Sequence, residues 1–218
     1  MARDDNSPKW RRRKDARPAE IVEAALDAFA ERGFAATRLE DVAERAGISK
    51  GTLYLYFANK EELFKAVIQQ ALVPNLALAE TRLASATGTT RELLMEVVGG
   101  FLGAIAGSNV SAIPKLIIGE ANNFPEVTEF YSREVAGRGM RIVAAILKRG
   151  IERGEVRPLD PVLAAPIIAG PLLLLILWKS VLEPHAPLTI DPAAYLKTYA
   201  DILLNGLLVQ PTPKEGGL

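Results

Sequence analysis

The chain has 218 residues, 49% of them apolar, with 26 Lys and Arg against 26 Asp and Glu, one histidine and no cysteine. That is enough apolar matter for a sizeable core, and the missing thiols exclude disulfides, thiolate catalysis and cysteine-based zinc sites. His185 lies between two prolines in EPHAP, a surface-loop setting, so no Ser-His-Asp apparatus is expected, and neither is an enzyme, a metal or a cofactor.

The zero net charge is unevenly spread. Residues 1–17 hold Arg3, Lys9, Arg11, Arg12, Arg13, Lys14 and Arg17 against Asp4, Asp5 and Asp15, a formal +4. A basic arm on a neutral body points to an anionic partner, with a solvated, disordered tail as the alternative. The same charge leaves no room for the apolar stretch of a signal peptide, so a cytoplasmic location is expected.

Residues 1–16 are read as a flexible arm. Pro18 suits the first position of a first helix, where its missing N–H costs nothing. Ile21, Ala25, Ala28 and Phe29 form the inner stripe of that helix, and Gly33 suits its C-terminal end. Thr37-Arg38-Leu39-Glu40 reads as a capping box opening a second helix, with Leu39, Val42, Ala43 and Ala46 facing inward and Gly47 ending it. Ser49 can cap a short third helix, with Ile48 and Leu53 placed as a hydrophobic staple. Asn59 with Glu62 opens a longer fourth helix carrying Leu63, Phe64, Val67, Ile68, Ala71 and Leu72, which Pro74 bends or ends. Further helices are expected at 91–107, 110–121, 125–153, 160–182 and 191–208. Strand signals are nearly absent, so the fold class is all-α. The composition shifts near residue 75 from capping signals to long apolar helices. The run from Pro161 to Trp178 carries no charge over 18 residues, at the lower limit for a membrane span. Pro166, Gly170 and Pro171 interrupt it, and a buried core or interface helix is the preferred reading.

Two short helices separated by AGIS form a helix-turn-helix pattern, with Gly47 making the turn. In such a unit the second helix enters the major groove with its N-terminal residues near base edges. Lys50, Gly51 and Thr52 then lead, and Gly51 lets the backbone approach closely. Tyr54 and Tyr56 lie off the apolar face and can place hydroxyls on phosphates. Lys60, at a helix N-terminus, and Thr37 are further phosphate candidates. A plain three-helix cap with surface tyrosines is the bland alternative.

Residues 17–64, centred on GFAATRLEDVAERAGISKGTLYLYFANKEELF, closely resemble the DNA-binding domain of TetR/AcrR-family transcriptional regulators. The matching residues are Gly33-Phe34, Thr37, Val42-Ala43, Ala46 to Ser49, Gly51 to Tyr54, Tyr56-Phe57 and Lys60. KLIIGEANNFPEV at 115–127 resembles the AefR-like subset of C-terminal domains. The resemblance implies a DNA-binding domain at 17–63, a helical ligand-binding and dimerisation domain at 64–210, and a short flexible tail at 211–218. It implies DNA contacts from Thr37, Arg38, Ser49, Lys50, Gly51, Thr52, Tyr54, Leu55, Tyr56 and Lys60. It also implies a homodimer formed through the helices at 160–182 and 191–208, which gives the apolar run a destination other than a membrane. Such a dimer reads a near-palindromic operator in major grooves about 34–36 Å apart. Most of the family repress, and an apolar small-molecule effector releases them. Candidate effector contacts are Phe101, Glu120, Asn123, Phe124, Phe130, Tyr131 and Trp178, the aromatic and polar groups on the apolar helices of the body. The alternative is an architectural or cell-division DNA-binding factor on the same fold, whose body binds a protein partner.

Overall fold

The apolar stripes fold as α-helices. The computed structural model describes residues 9–105 and 109–209, and among them eleven α-helices form and no strand. In chain order these are α1 Lys9–Arg32, α2 Leu39–Arg45, α3 Lys50–Tyr54, α4 Lys60–Ala71, α5 Val73–Ala84 and α6 Thr90–Ile105. Then follow α7 Ala112–Glu120, α8 Pro125–Tyr131, α9 Gly137–Glu152, α10 Pro161–Leu177 and α11 Pro192–Leu207.

The first four helices form a head around Ile21, Ala25, Ala28 and Phe29 of α1, Val42 and Ala43 of α2, Leu53 of α3, and Leu63, Phe64, Val67 and Ile68 of α4. The cluster continues without a break into Ile113, Leu116 and Ile117 of α7 and Val127 of α8. Head and body therefore share one core. A second core joins α6, α9, α10 and α11 through Leu93, Leu94, Ile142, Ile146, Leu147, Ile168 and Leu204.

Three expectations about the head are corrected. The first helix begins at Lys9, nine residues before Pro18, and runs through the proline. Residues 9–16 thus belong to a helix instead of a flexible arm. Their Lys, Arg and Ala favour helix, and the proline removes a single backbone donor. Residues 1–8 and the tail at 211–218 lie outside the described residues. The second helix is capped by Arg38, whose backbone N–H donates to Asp41 Oδ2 at 3.2 Å. Thr37 lies one residue outside the helix, buried to 2% exposure. Tyr56 is half-buried against the head core, unlike Tyr54.

In the body, a further helix, α5, follows α4 directly, with Pro74 in its first turn. The segment read as one helix at 125–153 is α8 and α9 joined by a π-helical turn at Ser132–Ala136. A similar turn at Trp178–Leu182 follows α10.

The segment Pro161–His185 is long and apolar enough to cross a membrane, yet only 28% of its most apolar window is buried within this chain. Ala165, Ile168, Leu172, Leu175 and Ile176 face the core. Two hydroxyls of α11 tie it down: Tyr195 donates to Pro171 O at 3.0 Å and Tyr199 to Ile168 O at 2.6 Å. Val162, Leu163, Ile167, Leu173 and Leu174 point outward, Ile167 at 74% exposure. On α11, Ile202 is 68% exposed.

The last turn of α9 comes close to the start of α6. A Cβ on Gly150 would lie 2.5 Å from Thr90 Oγ1 and 2.6 Å from Val156 Cγ2. Gly150→Ala should therefore destabilise the fold by about 1–3 kcal/mol, read as a lower denaturation midpoint at unchanged denaturant slope.

Candidate DNA interface and effector cavity

The turn between α2 and α3 depends on Gly47, whose φ of 65° only glycine adopts freely. The Gly47 N–H donates to Glu44 O at 3.0 Å and the Ile48 N–H to Ala43 O at 2.9 Å, which closes the turn. Ser49 caps α3 by accepting from the Thr52 N–H at 3.1 Å, and the two hydroxyls lie 2.8 Å apart. Leu53 anchors α3 in the core, with Ile48 packed beside it. A five-residue helix held at one buried leucine and one cap leaves its other positions outward. Lys50, Gly51, Tyr54 and Leu55 are exposed and Thr52 partly so, and Leu55, at 83% exposure, is an apolar side chain with no intramolecular reason to be outside. A leucine here fits a thymine methyl and Thr52 a base edge.

The cations of the head are largely engaged. Lys50 forms an ion pair with Glu40, which raises its pKa, and its ammonium lies 5.7 Å from the Tyr54 ring centroid. Lys60 donates to the carbonyls of Phe34, Ala35 and Thr37 at 2.7, 3.0 and 3.1 Å and sits 4.6 Å from the Phe34 ring centroid. Burial pushes its pKa below the ordinary lysine value. The Thr37 hydroxyl donates to Gly33 O at 2.7 Å, with Ala28 O at 3.2 Å.

In the body, α5, α6 and α9 line a half-open cavity of about 630 Å³, within the usual range for small-molecule sites. Its wall is mostly apolar: Leu76, Leu83, Leu93, Val97, Ile142, Val143 and Ile146. Asn75, Arg82 and Glu96 are its polar groups, and Gly100, Gly103 and Gly139 its bare wall. Ala71 and Leu72, where α4 ends, also line it, as does Val110 just before α7.

A family model described as bacterial regulatory proteins, tetR family, matches residues 21–67, and one described as tetracyclin repressor-like, C-terminal domain, matches residues 84–194, over half of the chain. The chain belongs to the TetR family of bacterial regulatory proteins. YfiR of Bacillus subtilis, an uncharacterized HTH-type transcriptional regulator, is 30% identical over 158 residues, 71% of this chain and 76% of YfiR. The fatty acid metabolism regulator protein of the same organism is 28% identical over 153 residues, 69% of this chain and 77% of that one. The structure of the ketosteroid transcriptional regulator KstR2 of Mycobacterium tuberculosis superposes with a TM-score of 0.66 at 28% identity, covering 89% of this chain and 96% of that one. The C-terminal match carries the general description tetracyclin repressor-like.

Within this TetR-family head, Ser49, Lys50, Gly51, Thr52, Tyr54 and Leu55 come together around α3, with Arg38 exposed at the start of α2. Thr37 and Lys60 do not join them as free donors. The threonine is buried, and the lysine's three protons lie on backbone carbonyls. The same sequence signals mark both roles, a polar residue at a helix start and a lysine in a first turn, and only the path of the 33–37 loop distinguishes them.

None of the six described effector candidates lines the cavity. Glu120 accepts from the Ala35 N–H at 3.2 Å and from Asn123 Nδ2 at 3.0 Å, so both act at the head–body joint. Phe124 stacks edge-on against Phe34 at 4.6 Å, and Phe130 and Tyr131 pack on the head core. Trp178 Nε1 donates to Leu188 O at 3.4 Å. The Phe101 side chain lies outside the described residues. The lining residues were missed because they are ordinary Leu, Val, Ile and Gly on amphipathic helices, and nothing in their spacing separates a cavity wall from a core.

Thr37→Val should cost about 1–3 kcal/mol of stability, because it removes the buried hydroxyl that donates to Gly33 O, a part-buried carbonyl. Lys60→Met should lower stability too, and leave the salt dependence of DNA binding unchanged. A direct phosphate contact would instead lower the slope by about 0.9 per protomer. Denaturation curves and binding isotherms over a salt series check both.

Proposed function

We propose that the protein is a homodimeric transcriptional repressor that an apolar or amphipathic small molecule releases from a near-palindromic operator in the cytoplasm. The observation that carries the effector reading is the path of α4. It starts at Lys60, which grips the loop before α2 through three carbonyls, and ends at Ala71 and Leu72 in the cavity wall. One helix therefore bears on both the DNA-reading head and the space a ligand can fill. A ligand acts only through unequal affinity for two head positions, and α4 is the element able to transmit that difference. The relatives named for fatty acid metabolism and for ketosteroids deal in largely hydrocarbon molecules, which fits the apolar wall. The cavity also weighs against the alternative in which the body binds a protein partner.

The dimer reading rests on the outward stripe of α10. Leu163, Ile167, Gly170 and Leu174 follow one another at intervals of three and four residues, all exposed in the single chain. A second copy packed there, with α11 alongside, removes this apolar face from water. On this reading Thr52 and Leu55 discriminate bases, each by about 1–3 kcal/mol per half-site, and Lys50 joins them by exchanging Glu40 for the DNA.

Two experiments test this function. Ile167→Arg or Leu174→Arg should convert a sedimenting dimer into monomers or aggregates with poor operator binding, and retention of a tight dimer would remove α10 from the interface. For the effector, Gly100→Leu should fill the cavity, since a Cβ there meets nothing within 4 Å. It should abolish the response to ligand while operator affinity holds. In the wild type, operator must weaken ligand binding by the factor that ligand weakens operator binding, and unequal factors in paired titrations would refute the coupling.

A further inference from the structure

The charge of the head conflicts with its role. Residues 18–71, which comprise the rest of α1 and all of α2 to α4, hold six Lys and Arg against nine Asp and Glu, a formal −3. Five of the six cations are already engaged within the chain. Arg32 pairs with Asp41, Arg45 with Glu31, Lys50 with Glu40 and Lys65 with Glu62, while Lys60 sits on backbone carbonyls. Among the described residues of the head, Arg38 is the cation without such a partner. Non-specific affinity for DNA comes almost wholly from Lys and Arg that displace counterions from phosphates. A head of net negative charge with paired cations supplies little of that, and its field opposes approach to a polyanion.

The missing charge lies on the same helix. Residues 9–17 hold six Lys and Arg against Asp15 alone, a formal +5. They form the first nine residues of α1, about 13 Å of helix, continuous with the segment whose Ile21, Val22, Ala25 and Phe29 build the head core. Including them turns the head from −3 to +2. We infer that the basic N-terminal segment of α1 is a phosphate-binding element for duplex DNA and carries most of the electrostatic affinity, leaving α3 to discriminate sequence. The inference rests on the DNA-binding reading of the head and adds a second contact surface to it.

The test uses the full-length protein and a fluorescently labelled random-sequence duplex, titrated over a salt series. Arg11, Arg12 and Arg13 are replaced together by Gln, which has a similar helix propensity, and in a second variant together by Lys. The Gln variant should bind at least roughly tenfold more weakly at moderate salt and lose about 0.9 of salt slope for each phosphate contact removed. The Lys variant should keep the wild-type slope. With Trp178→Phe in place, Trp10 emission should change when duplex is added, because Trp10 lies among the six cations. Wild-type affinity and slope in the Gln variant would overturn the inference, as would equal losses in the Gln and Lys variants. So would full DNA binding by the Gln variant together with lost association to phosphatidylserine vesicles, which would assign the segment to membranes. Wild-type protein that binds no duplex at any salt would remove the DNA-binding reading itself, and the inference with it.

Discussion

Four phenylalanine rings join what reads DNA to what can hold a ligand. Phe29, Phe34 and Phe64 lie with centroids 5.0 to 5.3 Å apart, and Phe124 of the body meets Phe34 edge-on at 4.6 Å. Aromatic pairs in this geometry add to the burial energy of large side chains, and here they make one core out of two regions. Lys60 closes the cluster from outside, with its ammonium over Phe34 and its protons on the carbonyls of the same loop. Glu120 holds that loop from the body side. A displacement of α4 or α7 is therefore felt at the start of α2, because close-packed rings do not deform gradually.

The electrostatics of the head follow from the same economy of space. The head is small, and its helices meet through ion pairs at their rims: Arg32 with Asp41, Arg45 with Glu31, Lys50 with Glu40. Exposed pairs of this kind contribute little to stability. They do neutralise the cations that a DNA-binding surface would otherwise present. The proposed separation of roles between α3 and the charged segment of α1 fits this, since base contacts specify while phosphate contacts hold.

The exterior of α10 sets a different constraint. An interior helix has no exposed side, and a surface helix of a lone soluble chain has a polar one. α10 has neither, with Val162, Leu163, Ile167 and Leu174 outward and no charge between Pro161 and Trp178. Pro166 and Pro171 each withhold a backbone N–H, and two tyrosine hydroxyls of α11 brace α10 nearby, at the carbonyls of Ile168 and Pro171. A face this apolar calls for a cover, which is what the proposed dimer would supply.

By itself the sequence determined the all-helical class, the helix-turn-helix, the family and the apolar character of α10. These are local properties: cap residues such as Ser49 and Asn59, turn glycines such as Gly47, and the spacing of Leu53 and Phe57 act over a few residues and can be read in order. It also marked Lys50 to Thr52 as the leading edge of α3 and Tyr54 and Tyr56 as outward, of which Tyr54 is exposed and Tyr56 half-buried. What only the tertiary structure decided involves partners far apart in the chain. Thr37 lies nine residues from Ala28 and is buried by it, Lys60 reaches back more than twenty residues to Phe34, and Glu120 finds Ala35 across 85. The cavity is likewise an absence of atoms between α5, α6 and α9, and no residue type announces a space that three helices leave between them.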